Sequence, residues 1–153
     1  FATYPEMGTY FEWISRQCRM GTYLSIHPVT GFLRGDVGYT DGANHNPQHL
    51  TACGAKEAMF RVAYEQYAVP ESPLYGSRSV IFAHDEIIME SPETRASEAA
   101  KRLTFLMEEG FRKYHSGLPI TAEAVMMRRW YKDAKPVFNK YGDLIPWEPK
   151  SYA

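Results

Sequence analysis

In Ser79-Val80-Ile81-Phe82-Ala83-His84-Asp85-Glu86-Ile87-Ile88-Met89-Glu90, two apolar runs flank the polar triplet His84-Asp85-Glu86. Both runs are rich in β-branched or aromatic residues, which suits two short interior strands better than a helix. A tight hairpin between them favours Asn-Gly, Asp-Gly or Gly-Gly, because the preferred turns need positive φ at their centre. The triplet has no glycine, so the turn is expected to be strained and held by its surroundings, a pattern that marks functional sites. Asp85 cannot be buried alone without a large desolvation cost, so it must reach solvent, a cationic side chain or a metal ion.

Working outward, the whole chain has 153 residues, 44% hydrophobic and 23% charged, the balance of one ordinary globular domain with a real core. A formal net charge of -1 argues against a wholly basic nucleic-acid coat while leaving room for a local basic face. Cys18 and Cys53 lie far apart and in no metal-ligand spacing, which favours a reduced, intracellular protein. No apolar run approaches the roughly 20 residues a membrane span needs, and no secretory signal is visible. Beginning at Phe1 and running straight into helix-like sequence, the chain reads as the back end of something longer.

Upstream of the hairpin, Tyr4 to Met20 carries Pro5 in a first-turn position, then Met7, Tyr10, Phe11, Ile14 and Cys18 at helical spacing, with Gly21 after the last turn. Thr22 to His27 and Phe32-Leu33-Arg34 read as a small hairpin around Pro28-Val29-Thr30-Gly31. Gly35, Gly38 and Gly42 mark a flexible connector. Asn46 as N-cap and Pro47 at the first helical position then open a helix reaching about Tyr67, with Asn44 and Gln48 at or just before its start. Val69 to Ser77 is a loop.

Downstream, Ser91-Pro92-Glu93 reads as a helix start with Ser91 as N-cap. Ala96, Ala99, Leu103, Leu106, Met107, Phe111 and Tyr114 continue that helix to Ser116-Gly117. Pro119 to Met127 alternates like a strand. Arg128, Arg129, Lys132 and Lys135 make a basic tail, either a solvated edge or a phosphate contact. The order of elements predicts an α+β fold with helices packed on an antiparallel sheet.

Several of these segments, in order, resemble a known family. They are Asn44 with Gln48, then Gly54-Ala55-Lys56-Glu57-Ala58-Met59, then Ala83-His84-Asp85-Glu86 between apolar strands, and then Ala122 to Pro136 with its Met126-Met127-Arg128-Arg129-Trp130-Tyr131 centre. Together they are similar to the C-terminal palm of family A DNA polymerases, the DNA polymerase I type. Leu33 to Asn44 looks most like the bacteriophage branch.

The resemblance covers nearly the whole chain. It implies a palm-type antiparallel sheet, with residues 1–153 forming the C-terminal part of a polymerase domain entered from the end of the fingers. By the same resemblance, Asp85 is the aspartate that helps hold two catalytic magnesium ions and Glu86 is an accessory acid beside it. His84 matches a contact to the primer-terminal backbone, and Asn44 and Gln48 match amides near the minor groove of the new base pair, with Arg34 alongside as a further DNA contact. An amide suits that place because every correct pair offers a minor-groove acceptor. The implied reaction is attack of a primer 3′-hydroxyl on the α-phosphate of a deoxynucleoside triphosphate. Two metal ions roughly 3.5–4 Å apart serve the attacking and leaving oxygens. The implied partners are primer-template DNA, nucleotides and an upstream polymerase half, in the cytoplasm of a bacterial or phage-infected cell.

The chain also departs from the family pattern. Around Gln48 the family has an aromatic residue before and glycine after, then alanine-aspartate; here stand Asn46-Pro47, His49, Thr51 and Cys53. The other palm aspartate, the nucleotide-binding fingers helix and the thumb would all lie upstream of Phe1, and Asp36 and Asp41 are poor substitutes. Alone, the chain is expected to bind metal weakly and not to polymerise. Two other readings stand beside this one. A non-catalytic nucleic-acid-binding remnant is compatible with the altered helix start, whereas a His-Asp metal phosphohydrolase would carry its pair on helices with further histidines.

Overall fold

The computed structural model describes residues 3–19, 23–115 and 117–149. Met20, Gly21, Thr22 and Ser116, which the sequence reading placed at element ends, lie outside them. The fold is α+β, with three helices and three two-stranded antiparallel ribbons. It divides into two compact units, the boundary falling between Ala52 and Cys53.

In the first unit, α1 (Glu6–Arg19) begins right after Pro5 and buries Ile14 completely. The strands β1 (Ser25–Ile26) and β2 (Leu33–Arg34) pair with Ser25 opposite Arg34 and Ile26 opposite Leu33. Their turn closes through the Gly31 amide donating to the His27 carbonyl at 2.9 Å, with Gly31 at φ 70°, a conformation only glycine adopts freely.

The next helix differs from expectation. Instead of starting at Asn46-Pro47, α2 runs over Tyr39–Ala68 with Pro47 inside it, so the supposed glycine connector is partly helical. A proline there removes the amide that would bond the carbonyl four residues back, which is Ala43. The Tyr10 hydroxyl of α1 donates to that carbonyl at 2.9 Å and takes over the missing bond. Close approach is possible because Gly42 has no side chain: a Cβ there would lie 3.3 Å from Ile14 and 3.4 Å from Tyr23 and Val37.

The second unit is built on Val62, Leu74, Ala99 and Leu106, with Ile87, Met89 and Leu103 packed against them. After a loop ending in Gly76 at φ 80°, β3 (Arg78–Ala83) and β4 (Glu86–Glu90) form the central hairpin. Its register shifts between Ser79 and Ile81, leaving Val80 as a bulge residue. β4 points Ile87 and Met89 at the core, but β3 is exposed along its whole length. The expectation of two interior strands therefore holds only for part of β4. Among the described residues β3 has no strand neighbour besides β4, and no larger palm-type sheet is evident.

A short 3₁₀ turn (Glu93–Arg95) leads into α3 (Ala96–Arg112) without a side-chain cap. Ser91 does not act as N-cap; its hydroxyl accepts from Ser77 across the base of the hairpin at 3.1 Å. α2 and α3 touch through glycine, since a Cβ on Gly110 would come within 2.6 Å of the Ala58 nitrogen. Residues 119–126 form no strand. The Ala122 amide donates to Glu108 on α3 at 3.0 Å, and Met127 makes a single parallel bridge to Trp147. The chain ends in β5 (Val137–Phe138) and β6 (Leu144–Ile145). No described helix is long and apolar enough to cross a membrane, and neither Cys18 nor Cys53 is in a disulfide.

Candidate functional site

The tip between β3 and β4 is tighter than the His-Asp-Glu triplet suggests. Ala83 pairs with Glu86, so the turn proper is His84-Asp85 and Glu86 belongs to β4. His84 takes φ 55°, the left-handed region that costs a non-glycine residue about 1–2 kcal/mol. That value supplies the positive φ which the missing glycine would have given. Asp85 and Glu86 are both exposed, and neither carboxylate enters a hydrogen bond or ion pair among the described residues. The Asp85 side chain is thus neither turned into the core nor locked to an arginine.

The other sequence candidates lie in the first unit. Asn44 and Gln48 are four residues apart on α2 and both exposed, so their amides are neighbours on one helix face. Arg34 is held by Asp41 at 3.2 Å, with both side chains largely exposed, so the ion pair is weak and exchangeable. In the basic tail, Arg128 forks onto Glu93 at 2.7 and 3.0 Å and reaches Glu148 at 3.4 Å. That arginine has a structural task, whereas Arg129, Lys132 and Lys135 remain exposed.

The donor set at the hairpin tip suits magnesium. Adjacent carboxylates in water offer hard oxygen ligands, and this ion keeps several waters. Among the described residues no group of three His, Cys, Asp or Glu side chains is arranged to hold a metal, so Asp85 and Glu86 make at most part of a centre. Beside them, Met59, Ala63, Ser79, Val80, Ile81, Phe82 and Ile87 line an apolar hollow of about 210 Å³.

Two features escaped the sequence reading. Glu65 is almost buried and is gripped by Arg102 through Nε at 2.9 Å and by the Ser72 hydroxyl at 2.7 Å. The Arg102 hydrogen bond, aided by Ser72, holds its carboxyl below the usual glutamate range. In the first unit, His27, His45 and His49 converge around Phe32, with ring centroids 4.8 Å (His27 to His49), 5.8 Å (His45 to His49) and 6.2 Å (His27 to His45) apart. The four-residue spacing of His45 and His49 was the available signal; the third member comes from a hairpin turn that sequence does not dock. Compared with protein-family models, curated proteins and solved structures, the chain gives no match.

Proposed function

We propose that this chain is the C-terminal palm portion of a DNA polymerase of the family A type, with Asp85 as its metal-holding carboxylate. The observation that carries the reading is the Asp85 carboxylate, exposed and without a protein partner among the described residues, on a hairpin tip that holds His84 at φ 55°. A strained turn that serves only solvated charge would gain from glycine; a turn that must aim an acid and an imidazole has a reason to keep both.

The exposed strand supports the same reading. Val80, Ile81 and Phe82 are 50%, 52% and 41% exposed, an apolar open edge of the kind that proteins normally cover. A larger palm-type sheet, with further strands beside β3, would cover it.

In this reading Asp85 and Glu86 hold magnesium, which when bound stabilises the attacking and leaving oxygens of nucleotidyl transfer. His84 contacts the backbone of the primer end. Asn44 and Gln48 present amide donors to minor-groove acceptors, and Arg34 exchanges Asp41 for a DNA phosphate. The remaining carboxylate and the nucleotide-binding residues come from an upstream half.

The test is primer extension by the chain supplemented with such a half. Wild type extends, and Asp85→Asn loses at least about 100-fold, the scale expected when a charge aimed at the transition state is removed. An Asp85→Asn rate equal to wild type overturns the assignment. That the described residues bring no third ligand together with this pair favours one second reading, a non-catalytic DNA-binding remnant, which binds primer-template duplex yet yields no extension with any half.

A further inference from the structure

We propose that His27, His45 and His49 form a proton-operated latch that holds the β1–β2 hairpin on the start of α2 and releases it when His45 takes up a proton. This inference is independent of the polymerase reading.

The hydrogen bonds fix the tautomer of His27. His27 is buried, and its Nδ1 accepts from the Val29 amide at 3.3 Å and the Thr30 amide at 3.2 Å. Its proton is therefore on Nε2, which is buried without a partner. That arrangement argues against a metal cage, because Nε2 of His27 has no free lone pair to offer.

His45 is also buried. Its Nε2 is buried with no hydrogen-bond partner among the described residues, and the Phe32 carbonyl nearby favours its charged form. His49 completes the group, with Nε2 lying 2.7 Å from the Thr30 hydroxyl. Phe32 stacks on His49 at 4.5 Å and on His45 at 6.0 Å. The hairpin is thus tied to α2 by side chains of Thr30 and Phe32 resting on histidines.

Protonated His45 carries a hydrogen on Nε2, where no acceptor waits among the described residues. Arg34 of β2 and His27 of the hairpin turn both oppose the new charge, and the Phe32 carbonyl favours it. The nearest acid on the same helix, Asp41, is engaged with Arg34; from α1 the contribution is the Tyr10 hydroxyl, which donates to the Ala43 carbonyl. Burial first, then Arg34 and His27, hold His45 below the ordinary histidine range. The closed latch therefore binds this proton more weakly than the open one. By linkage its stability is complete above the open-state value of about 6.5, and declines as the pH falls from there towards the lowered closed-state value. One proton changes the opening equilibrium by at most about tenfold per pH unit.

The test follows the amide signals of Val29, Thr30 and Phe32 by NMR from about pH 8 to about pH 5, with β4 amides as the reference. The expected result is selective loss of the hairpin signals below about pH 6.5, with the same midpoint as the His45 imidazole titration. Arg34→Met shifts that midpoint to higher pH and shrinks the loss of hairpin signal, because the charge opposing the His45 proton is gone, and His45→Gln removes the transition. Hairpin signals unchanged to pH 5 overturn the latch, as does a release that persists in His45→Gln. Should His45→Gln fail to fold, separate midpoints for His45 and the hairpin in wild type overturn it equally.

Discussion

The Tyr10 hydroxyl donates to the Ala43 carbonyl at 2.9 Å, supplying the bond that Pro47 cannot make within α2. One side chain of α1 thereby lets a helix pass through a proline. Tyr10→Phe leaves that carbonyl without its partner and is expected to destabilise the first unit by about 1–2 kcal/mol. Loss of helical signal over residues 39–46, read by amide chemical shifts, accompanies it. A Tyr10→Phe variant with α2 intact from Tyr39 contradicts the account.

Gly110 is held against Ala58 with no room for a methyl group; a Cβ would lie 2.6 Å from the Ala58 nitrogen and 2.8 Å from its Cα. Backbone cannot yield as a flexible side chain can. Gly110→Ala is expected to cost about 1–3 kcal/mol in urea unfolding despite alanine's better helix propensity. Gly8 on α1 meets nothing within 4 Å, so Gly8→Ala is expected to stabilise by about 0.5–1 kcal/mol. Equal effects at the two sites contradict this packing.

Glu65 and Arg102 make the second unit acid-sensitive. Arg102, then Ser72, keep the Glu65 carboxyl below its ordinary value. The pair's contribution is thus complete above the unfolded value of about 4.3 and disappears as the pH falls through the lowered folded value. Arg102→Met leaves the nearly buried Glu65 with Ser72 alone, and is expected to cost about 1–3 kcal/mol at neutral pH, trimmed because the guanidinium is partly solvated. It also flattens the stability loss on acidification below about pH 4.3. A mutant whose acid limb matches wild type contradicts this assignment.

His84 at φ 55° carries a backbone cost that glycine would not. Glycine adopts that conformation without penalty, so His84→Gly is expected to stabilise the hairpin by about 0.5–1 kcal/mol after glycine's greater unfolded-state entropy is counted. His84→Val is expected to destabilise it further, because a β-branched side chain tolerates the left-handed region less well than histidine. Under the proposed polymerase reading, His84→Gly is expected to weaken primer binding by the chain supplemented with an upstream half. Thermal unfolding together with primer titration reads both effects.

Periodicity made α1, the β1–β2 hairpin, the central hairpin and α3 legible, because each is defined by neighbours close in sequence. The failures have tertiary causes. Pro47 reads as a helix start in isolation, and only Tyr10, more than thirty residues away, makes it an interior position. Ser91 has the chemistry of a cap, but its hydroxyl is taken by Ser77. Residues 119–126 alternate like a strand yet find no strand to pair with, and Glu108 ties them to α3 instead. At the site, the missing glycine correctly signalled a positive φ. The buried histidines did not announce themselves, since their meeting depends on how a hairpin docks on a helix.

The most direct measurement of the central claim is manganese-induced NMR line broadening on the 153-residue chain, comparing wild type with Asp85→Asn. The account predicts broadening centred on the amides of His84, Asp85 and Glu86, saturating only at high manganese concentration and absent in the variant. Broadening that is centred elsewhere, or that is the same in Asp85→Asn, contradicts it.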